Sequence, residues 1–127
     1  MMGLADALCN GRLVVVAECT PTRDSDPSPL VSCAAALAGS VDALCVPESE
    51  DGPRMSSLAA CAHLLSAKAE PVFYLATRDL NRIALQSAIL GAASLGLKNI
   101  LCLSGRHQAL ISSLPSRSST STGSMSG

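Results

Sequence analysis

Four short apolar segments set the hydrophobic pattern of the chain. They are continuous apolar runs that do not alternate with polar residues: LVVVA at 13–17, ALCV at 43–46, PVFYLA at 71–76 and NILCL at 99–103. Continuous runs of this length, rich in branched side chains, are typical of parallel strands that are covered on both faces. The pattern therefore predicts four parallel strands.

Three Ala- and Leu-rich stretches of helical character separate these runs, at 29–37, 54–67 and 81–95. Pro29 suits the first turn of a helix, and Asp79 is a candidate N-cap for the third helix. Gly39 and Gly96 stand where helices should end. The order is then β-α-β-α-β-α-β with units of roughly 30 residues, the size of a right-handed βαβ repeat. Such a series builds either an open doubly wound sheet or part of a (β/α)8 barrel, and the pattern does not choose between them.

The C-terminal segment has a different composition. Residues 111–127 read ISSLPSRSSTSTGSMSG, in which ten of seventeen residues are Ser or Thr, with no acid and no aromatic residue. Such a segment cannot bury enough apolar surface to offset its ordering entropy. We therefore expect residues 1–108 to form the folded part and 109–127 a disordered tail. A truncated gene, a shifted reading frame or a natural flexible tail would each give this change of composition.

Composition narrows the class of protein and its partners. The chain has 127 residues, 48% apolar and 15% charged, which fits one folded domain and excludes charge-driven disorder. Its net charge of −1, with no Trp, one Tyr and one Phe, gives no electrostatic or stacking reason to expect a nucleic-acid partner. No apolar run approaches the roughly 20 residues of a spanning helix, so we expect no membrane partner. The N-terminus has no positive region before its apolar stretch, which predicts a cytoplasmic protein.

The six cysteines suggest neither a disulfide framework nor a zinc site. They include no C-x-x-C pair, and His63 and His107 do not complete a finger pattern. Most lie in apolar runs, where a free thiol behaves as a small buried hydrophobic group. We therefore predict reduced structural thiols and no metal, with His63 packing against or capping its helix.

Candidate chemistry lies in the loops that follow the strands, because ligands of parallel α/β proteins gather at the carboxyl ends of strands. Glu18 ends the first apolar run, where partial desolvation would raise its pKa toward that of a general acid. The alternatives are an ion pair with Arg23 or Arg78, or simple solvation at the strand exit. Cys19 has no neighbouring His to favour its thiolate, which argues against a nucleophile.

Two further loops carry ligand-binding groups. Thr77, Arg78 and Asp79 precede a helix N-terminus, where Arg and backbone N–H groups can hold phosphates; helix capping by Asp79 is the alternative. Gly105 follows the fourth strand, where a backbone without a side chain lets a flat ligand approach closely. An acidic loop after the second strand, with Glu48, is either a cation site or an exposed turn.

Four segments of the chain resemble a known family. The segments VVVAECTPTRDSDPSPL, VDALCVPE, PRMSSLAA and EPVFYLATRDLNRIALQSAILGAASLGLKNILCLSG are similar to the methylenetetrahydrofolate reductase family over residues 13–105. TRDLNRIALQS with GAASLGLKNIL is specific to its bacterial and archaeal members. The resemblance implies a (β/α)8 TIM barrel with bound FAD. It implies reduction of 5,10-methylenetetrahydrofolate to 5-methyltetrahydrofolate with electrons from NAD(P)H or another donor, a step of one-carbon metabolism and methionine biosynthesis.

The resemblance also implies roles for individual residues. Glu18 matches the family's strand-one glutamate, the general acid that opens the folate's five-membered ring. Thr77, Arg78 and Asp79 match a stretch that lines the flavin pocket. Gly105 matches the glycine of a strand-four Gly-Asp pair beside the isoalloxazine.

Three positions depart from the family pattern. Arg106 replaces the strand-four aspartate, Pro47 stands where the family often has Thr, and Tyr74 where many members have His or Gln. Counterparts of the barrel's strands five to eight are not found, so we expect the first four βα units of the barrel, a fragment with little activity alone. Unpaired edges on its first and fourth strands would favour a homo-oligomer or a partner subunit.

Two other hypotheses remain. Arg106 and Pro47 suggest a non-catalytic homologue that binds a pterin or a partner. An unrelated nucleotide-binding open sheet would need a glycine-rich loop after the first strand, and ECTPTRD contains no glycine.

Overall fold

The chain folds as alternating helices and parallel strands. A computed structural model describes residues 3–49, 52–78 and 80–104. The elements of this part, in chain order, are α1 (Leu4–Cys9), β1 (Val16–Glu18), α2 (Ser28–Leu37), β2 (Ala43–Val46), α3 (Ser57–Ser66), β3 (Pro71–Ala76), α4 (Arg82–Ser94) and β4 (Asn99–Leu103). The strands form one sheet in the order β1-β2-β3-β4, and every neighbouring pair is parallel. The predicted α/β class with a parallel sheet is confirmed.

Three of the four strands match the sequence prediction in both bounds, and β1 does not. The apolar run predicts a strand at 13–17, whereas β1 starts at Val16 and ends at Glu18. The reason is pairing: β1 is an edge strand whose ladder begins where Val16 faces Ala43, the first residue of β2. Leu13 lies before that ladder and is 85% exposed. Branched apolar character alone therefore does not make a strand here.

The helices correspond to the predicted stretches, with one wrong cap. Pro29 lies in the first turn of α2, and Gly39 and Gly96 follow α2 and α4 with φ values of 81° and 86°. Such left-handed conformations are favourable for glycine at a helix end. The N-cap of α4 is Asn81, whose side-chain oxygen accepts a hydrogen bond from the Ala84 N–H at 2.8 Å. The prediction of Asp79 as the cap is therefore wrong, and Asp79 itself lies outside the described residues.

The sequence did not predict α1, and long-range contacts hold it in place. Glu70, just before β3, accepts hydrogen bonds through one carboxylate oxygen from the Leu4 N–H and from the Asn99 side chain, both at 3.1 Å. The carboxylate therefore joins the first turn of α1 to the amino ends of β3 and β4. A helix of six residues is too short to be stable alone, so this contact is what positions it.

Asp42 secures the beginning of β1 in a similar way. Its carboxylate accepts a hydrogen bond from the Val15 N–H at 2.9 Å and forms an ion pair with Arg12, while its own N–H donates to the Val15 carbonyl at 2.7 Å. The hydrogen bond from the Val15 backbone, and after it the Arg12 charge, lower the pKa of Asp42 below its usual value of 3.8.

The hydrophobic core is built around β2, β3 and α3. Leu64 and Cys61 of α3 are fully buried against Val46, Phe73 and Leu75 of the two central strands. Phe73 is the only Phe of the chain, so most of this core consists of Ala, Leu, Val and Cys. Many small contacts therefore replace the few large aromatic anchors of an ordinary domain.

Ser57 is the buried polar group at the centre of this core. It is 1% exposed at the first turn of α3. Its hydroxyl donates to the carbonyl of Val46, the last residue of β2, at 2.6 Å, and accepts from the N–H of Tyr74 in β3 at 3.3 Å. One hydroxyl thus bridges both central strands to the start of α3.

The outer strands and α4 leave apolar side chains in solvent. Val16 of β1 is 46% exposed, and Ile100 and Leu101 of β4 are 39% and 41% exposed. Ile83 and Leu90 of α4 are also exposed. Parallel sheets are normally covered on both faces. The two outer strands, β1 and β4, therefore expose apolar surface that such sheets normally bury.

Among the described residues no helix has the length and apolar character needed to cross a bilayer. The predicted disordered tail, 109–127, and the end of the predicted folded segment, 105–108, lie outside the described residues.

Replacement of Ser57 by Ala should destabilise the fold. The substitution leaves the Val46 carbonyl and the Tyr74 N–H buried without their partner, at an expected cost of about 1–3 kcal/mol. Urea unfolding with an unchanged m-value measures this loss. The control is Ser66→Ala at the exposed end of α3, where we expect a change of about 0.5 kcal/mol or less. An equal effect of both substitutions would contradict the bridging role of Ser57.

Protonation of the Asp42 carboxylate at low pH should weaken the contacts with Val15 and Arg12 that hold the start of β1. Because its folded pKa lies below the unfolded value, its contribution to stability is complete above the unfolded pKa and is lost as pH falls through the folded pKa. Asp42→Asn should therefore flatten the fall of Tm between about pH 5 and pH 2. Asp6→Asn, an exposed carboxylate of α1, should keep the wild-type profile. An Asp42→Asn profile as steep as that of the wild type would refute this assignment.

Candidate functional site

The carboxyl edge of the sheet brings together the loops that carry the predicted site. Glu18 ends β1 opposite Cys45 of β2, while Ala76 ends β3 opposite Leu103 of β4. Because all four strands are parallel, the residues that follow these positions emerge at the same edge. The fold therefore places Glu18 and Thr77 on one edge of the sheet, at the ends of strands that β2 separates.

Glu18 is exposed in the structure. The partial desolvation predicted for a carboxylate at the end of an apolar run is therefore not found, and solvation at the strand exit describes its environment better. Its position is nevertheless fixed, because it belongs to the strand itself and the next residue, Cys19, donates its N–H to the Cys45 carbonyl at 2.9 Å. Its role as a general acid stays a prediction.

The loop after β1 is held by backbone contacts to the segment before α3. Arg54 donates through its guanidinium to the Pro21 carbonyl at 2.9 Å, and the Met55 N–H donates to the Thr22 carbonyl at 2.7 Å. Pro21 is almost completely buried. The ECTPTRD loop is therefore held against the residues that directly precede α3.

The second half of this loop is a series of turns that leads into α2. The single proton of the Thr22 hydroxyl is shared between the carbonyls of Asp24 and Asp26, whose oxygens lie 3.2 Å and 3.1 Å from Oγ1. The Asp26 carboxylate accepts from the Ser28 N–H at 3.0 Å, and that bond lowers the pKa of Asp26. Local polar side chains therefore replace the glycines that a phosphate-binding loop would use.

Two of the four predicted flavin-binding residues can be located. Thr77 follows β3 and is occupied by the sheet: its N–H and its hydroxyl both donate to the Leu103 carbonyl, at 2.8 Å and 3.3 Å. Arg78 is exposed next to it. Asp79 and Gly105 lie outside the described residues, as does Arg106. The described edge thus offers one guanidinium for an anionic ligand at this position.

Sequence reasoning missed a cleft beside the β1 loop. The cleft has a volume of about 430 Å³ and lies between this loop and α3. Its lining is mixed, with Arg23, Asp24, Ser25, Pro53, Arg54, Met55, Ala59 and His63. Glu18, Thr77 and Arg78 are not among these residues. The cleft is therefore separate from the predicted site.

His63 differs from its prediction. It is exposed in the last turn of α3 and lines this cleft, whereas its place in an Ala- and Leu-rich stretch predicts packing against the helix or capping of it. The position of a histidine four residues before the end of an Ala- and Leu-rich stretch does not predict that the loop after β1 lies opposite it. The cleft depends on contacts between residues 30 or more positions apart, such as Arg54 with Pro21.

The two buried cysteines, Cys19 beside the end of β1 and Cys61 in α3, are poor nucleophiles. Burial raises the pKa of Cys19 to about 12, with a further contribution from the neighbouring Cys33 thiol. Burial likewise raises the pKa of Cys61 to about 11. Both thiols therefore stay protonated at neutral pH, which agrees with the argument against a catalytic Cys19.

No group of three His, Cys, Asp or Glu side chains among the described residues is arranged to hold a metal ion. Of the acidic loop after β2, Glu48 is exposed, and Glu50 and Asp51 lie outside the described residues.

Comparison with known proteins does not extend the resemblance. No protein-family model matches the chain, and no curated protein matches it.

Thiol labelling should follow this pattern of burial. A pKa raised from 9.0 to about 12 lowers the thiolate fraction of Cys19 at neutral pH by about a thousandfold. We expect iodoacetamide to modify the exposed Cys9 and Cys102 of the folded chain, and to modify Cys19 and Cys61 only after unfolding. Peptide mass spectrometry after timed labelling measures this. Labelling of Cys19 as fast as Cys102 in the folded chain would contradict the burial.

Proposed function

We propose that this chain forms the first four βα units of a flavin-dependent methylenetetrahydrofolate reductase barrel. The observation that carries the proposal is the strand order β1-β2-β3-β4, all parallel, with Glu18 at the carboxyl end of the first strand. The resemblance of residues 13–105 to the reductase family supplies the chemistry. The proposed activity is reduction of 5,10-methylenetetrahydrofolate to 5-methyltetrahydrofolate in the cytoplasm.

The strand order supports a barrel over a doubly wound sheet. A doubly wound sheet reverses its strand order at a switch point and places helices on both faces. Here each strand lies beside the strand that precedes it in the sequence, so the order β1-β2-β3-β4 contains no reversal. Right-handed crossovers in one direction place the connecting helices on one face, which is the winding of a (β/α)8 barrel.

The exposed edge strands support the proposal that the activity requires a completed barrel. Val16 on β1 and Ile100 and Leu101 on β4 expose apolar surface at opposite edges of the sheet. Strands five to eight of a barrel would pair with both edges and cover this surface. The same completion would enclose Glu18, which is exposed here, and supply the desolvation that a general acid uses.

Glu18 would act as the proton donor of the reaction. Its carboxyl group would donate a proton as the five-membered ring of the folate opens, and its place in a paired strand fixes the direction from which the proton comes. A bound flavin would supply hydride to the methylene carbon of the folate. Arg78, exposed at the same edge, fits the phosphates of such a cofactor, whereas both donors of Thr77 are directed to Leu103.

The alternative is a non-catalytic homologue that binds a pterin or a partner protein. Pro47 supports it, because this residue follows β2 directly at the carboxyl edge and has neither an N–H nor a hydroxyl to offer a ligand. The exposed apolar residues of β4 also favour pairing with a partner. Folate binding without flavin binding would favour this alternative.

The decisive experiment reconstitutes a complete barrel. The chain is co-expressed with units five to eight of a bacterial methylenetetrahydrofolate reductase, and the purified complex is assayed for flavin absorbance, NADH oxidation and methyltetrahydrofolate formation. We expect Glu18→Gln to lower methyltetrahydrofolate formation by about 10² to 10⁴, the contribution of a general acid. NADH oxidation with an artificial electron acceptor should survive, because that half-reaction needs no proton from Glu18.

Glu48→Gln is the matched control, since Glu48 is also an exposed glutamate that follows a strand at the carboxyl edge. It should leave both half-reactions unchanged. A complex that binds flavin and forms methyltetrahydrofolate equally well with Glu18→Gln would disprove the assigned role. If the complex forms and binds folate but no flavin, the reductase proposal is wrong and the non-catalytic binding homologue is favoured.

A further inference from the structure

Two cysteines from different elements meet beside the exit of β1. Cys19 follows β1, and Cys33 lies in α2; their sulfur atoms are 3.0 Å apart. A disulfide bond has a sulfur–sulfur distance of about 2.05 Å, so the two sulfur atoms need to approach each other by only about 1 Å to form one. The two cysteines are fourteen positions apart, a spacing that is no recognised cysteine motif, and it is the fold that brings them together.

The surroundings give the two thiols different roles. Cys19 is 1% exposed, and its backbone N–H is hydrogen bonded to the Cys45 carbonyl of β2, so this sulfur is held in place and shielded from solvent. Cys33 is only half-buried on α2. A small oxidant in solution can therefore reach Cys33, whereas Cys19 can be reached by Cys33.

We propose that Cys19 and Cys33 form a reversible disulfide in the folded chain when a peroxide supplies the oxidising equivalents. Hydrogen peroxide first converts the Cys33 thiol to a sulfenic acid and is itself reduced to one molecule of water. The Cys19 sulfur then attacks the Cys33 sulfur, the S–O bond breaks, and the departing hydroxide leaves with the Cys19 proton as a second water. The two thiols lose two electrons in total, and the peroxide gains them.

The high pKa of Cys19 slows this second step but does not prevent it. Its thiolate fraction at neutral pH is about a thousandfold below that of an ordinary thiol, because its pKa is raised from 9.0 to about 12. Well-oriented intramolecular reactions reach effective molarities of about 10⁵ M or more, a gain larger than that loss. The disulfide therefore forms faster than either sulfur reacts with a thiol of another chain.

Formation of the bond would fasten α2 to the end of β1. The link joins the residue next to Glu18 to the second turn of α2. Amide hydrogen exchange over Ser28–Leu37 should therefore slow in the oxidised chain, since opening of α2 would then require movement of the sheet. This inference concerns the chain whether or not it is a reductase, because it rests on the two thiols alone.

Disulfide mapping of the full chain tests the proposal. The folded chain is treated with hydrogen peroxide, the remaining thiols are blocked, and the peptides are analysed without reduction. Trypsin separates Cys19 from Cys33 at Arg23, and an enzyme that cuts before Asp42 separates Cys33 from Cys45. We expect a Cys19–Cys33 peptide as the main product, and its return to two thiols with dithiothreitol. The same treatment in urea should give mixed pairs, because shorter loops such as Cys33 to Cys45 then compete.

Two variants complete the test. Cys33→Ser should abolish every disulfide of Cys19, whereas Cys102→Ser, at an exposed thiol of β4, should leave the Cys19–Cys33 bond intact. The wild-type map remains informative even if Cys33→Ser does not fold. Cys33 trapped by dimedone or over-oxidised while Cys19 stays a thiol would overturn the proposal. Preferred pairing of Cys33 with Cys45, or with a second chain, would also overturn it.

Discussion

The Ser57 hydroxyl joins three elements whose polar groups meet inside an apolar core. It gives its proton to the last carbonyl of β2 and accepts the Tyr74 N–H of β3, while its own backbone begins α3. Left unpaired at this depth, the Val46 carbonyl and the Tyr74 N–H would each lower the stability of the fold, so this residue strengthens the packing of α3 on the two central strands. The core of Leu, Val, Ala and Cys side chains that surrounds it then fixes β2 and β3 as the stable centre of the sheet.

The stability of that centre contrasts with the outer elements. β1 is three residues long and β4 is largely exposed. Glu18, which would carry the proposed proton transfer, ends β1, whereas Thr77 and Arg78 follow the central strand β3. Glu18 is positioned by pairing with β2 and not by burial, and Thr77 is positioned by the Leu103 carbonyl. These residues are therefore aligned by the sheet and open to water.

The strands and helices could be predicted where local pattern and long-range packing agree. β2, β3 and β4 have the bounds that their apolar runs predict, because each run finds a parallel neighbour along its length. The run at 13–17 has the same character, but its pairing is limited by where β2 begins. Asp79 and Asn81 are both good capping residues two positions apart, and the sequence does not show that α4 begins directly after Asn81.

The site was harder to predict, because its features depend on distant partners. The exposure of Glu18 depends on what covers the carboxyl ends of the strands. The contact of Cys19 with Cys33 depends on how α2 packs beside β1. The cleft that His63 lines likewise requires the β1 loop to lie against the segment before α3. Sequence spacing gave no sign of either contact, since neither pair of segments forms a motif of fixed length.

The Glu70 carboxylate has a consequence for how the chain matures during synthesis. The same oxygen receives the amide of Leu4 and the side chain of Asn99, so α1 and β4 share one acceptor. A ribosome releases α1 first and β4 last among the described elements, and a helix of six residues does not persist without support. The earliest-made residues therefore acquire their final place only after β3 has emerged, and the arrival of β4 completes the attachment.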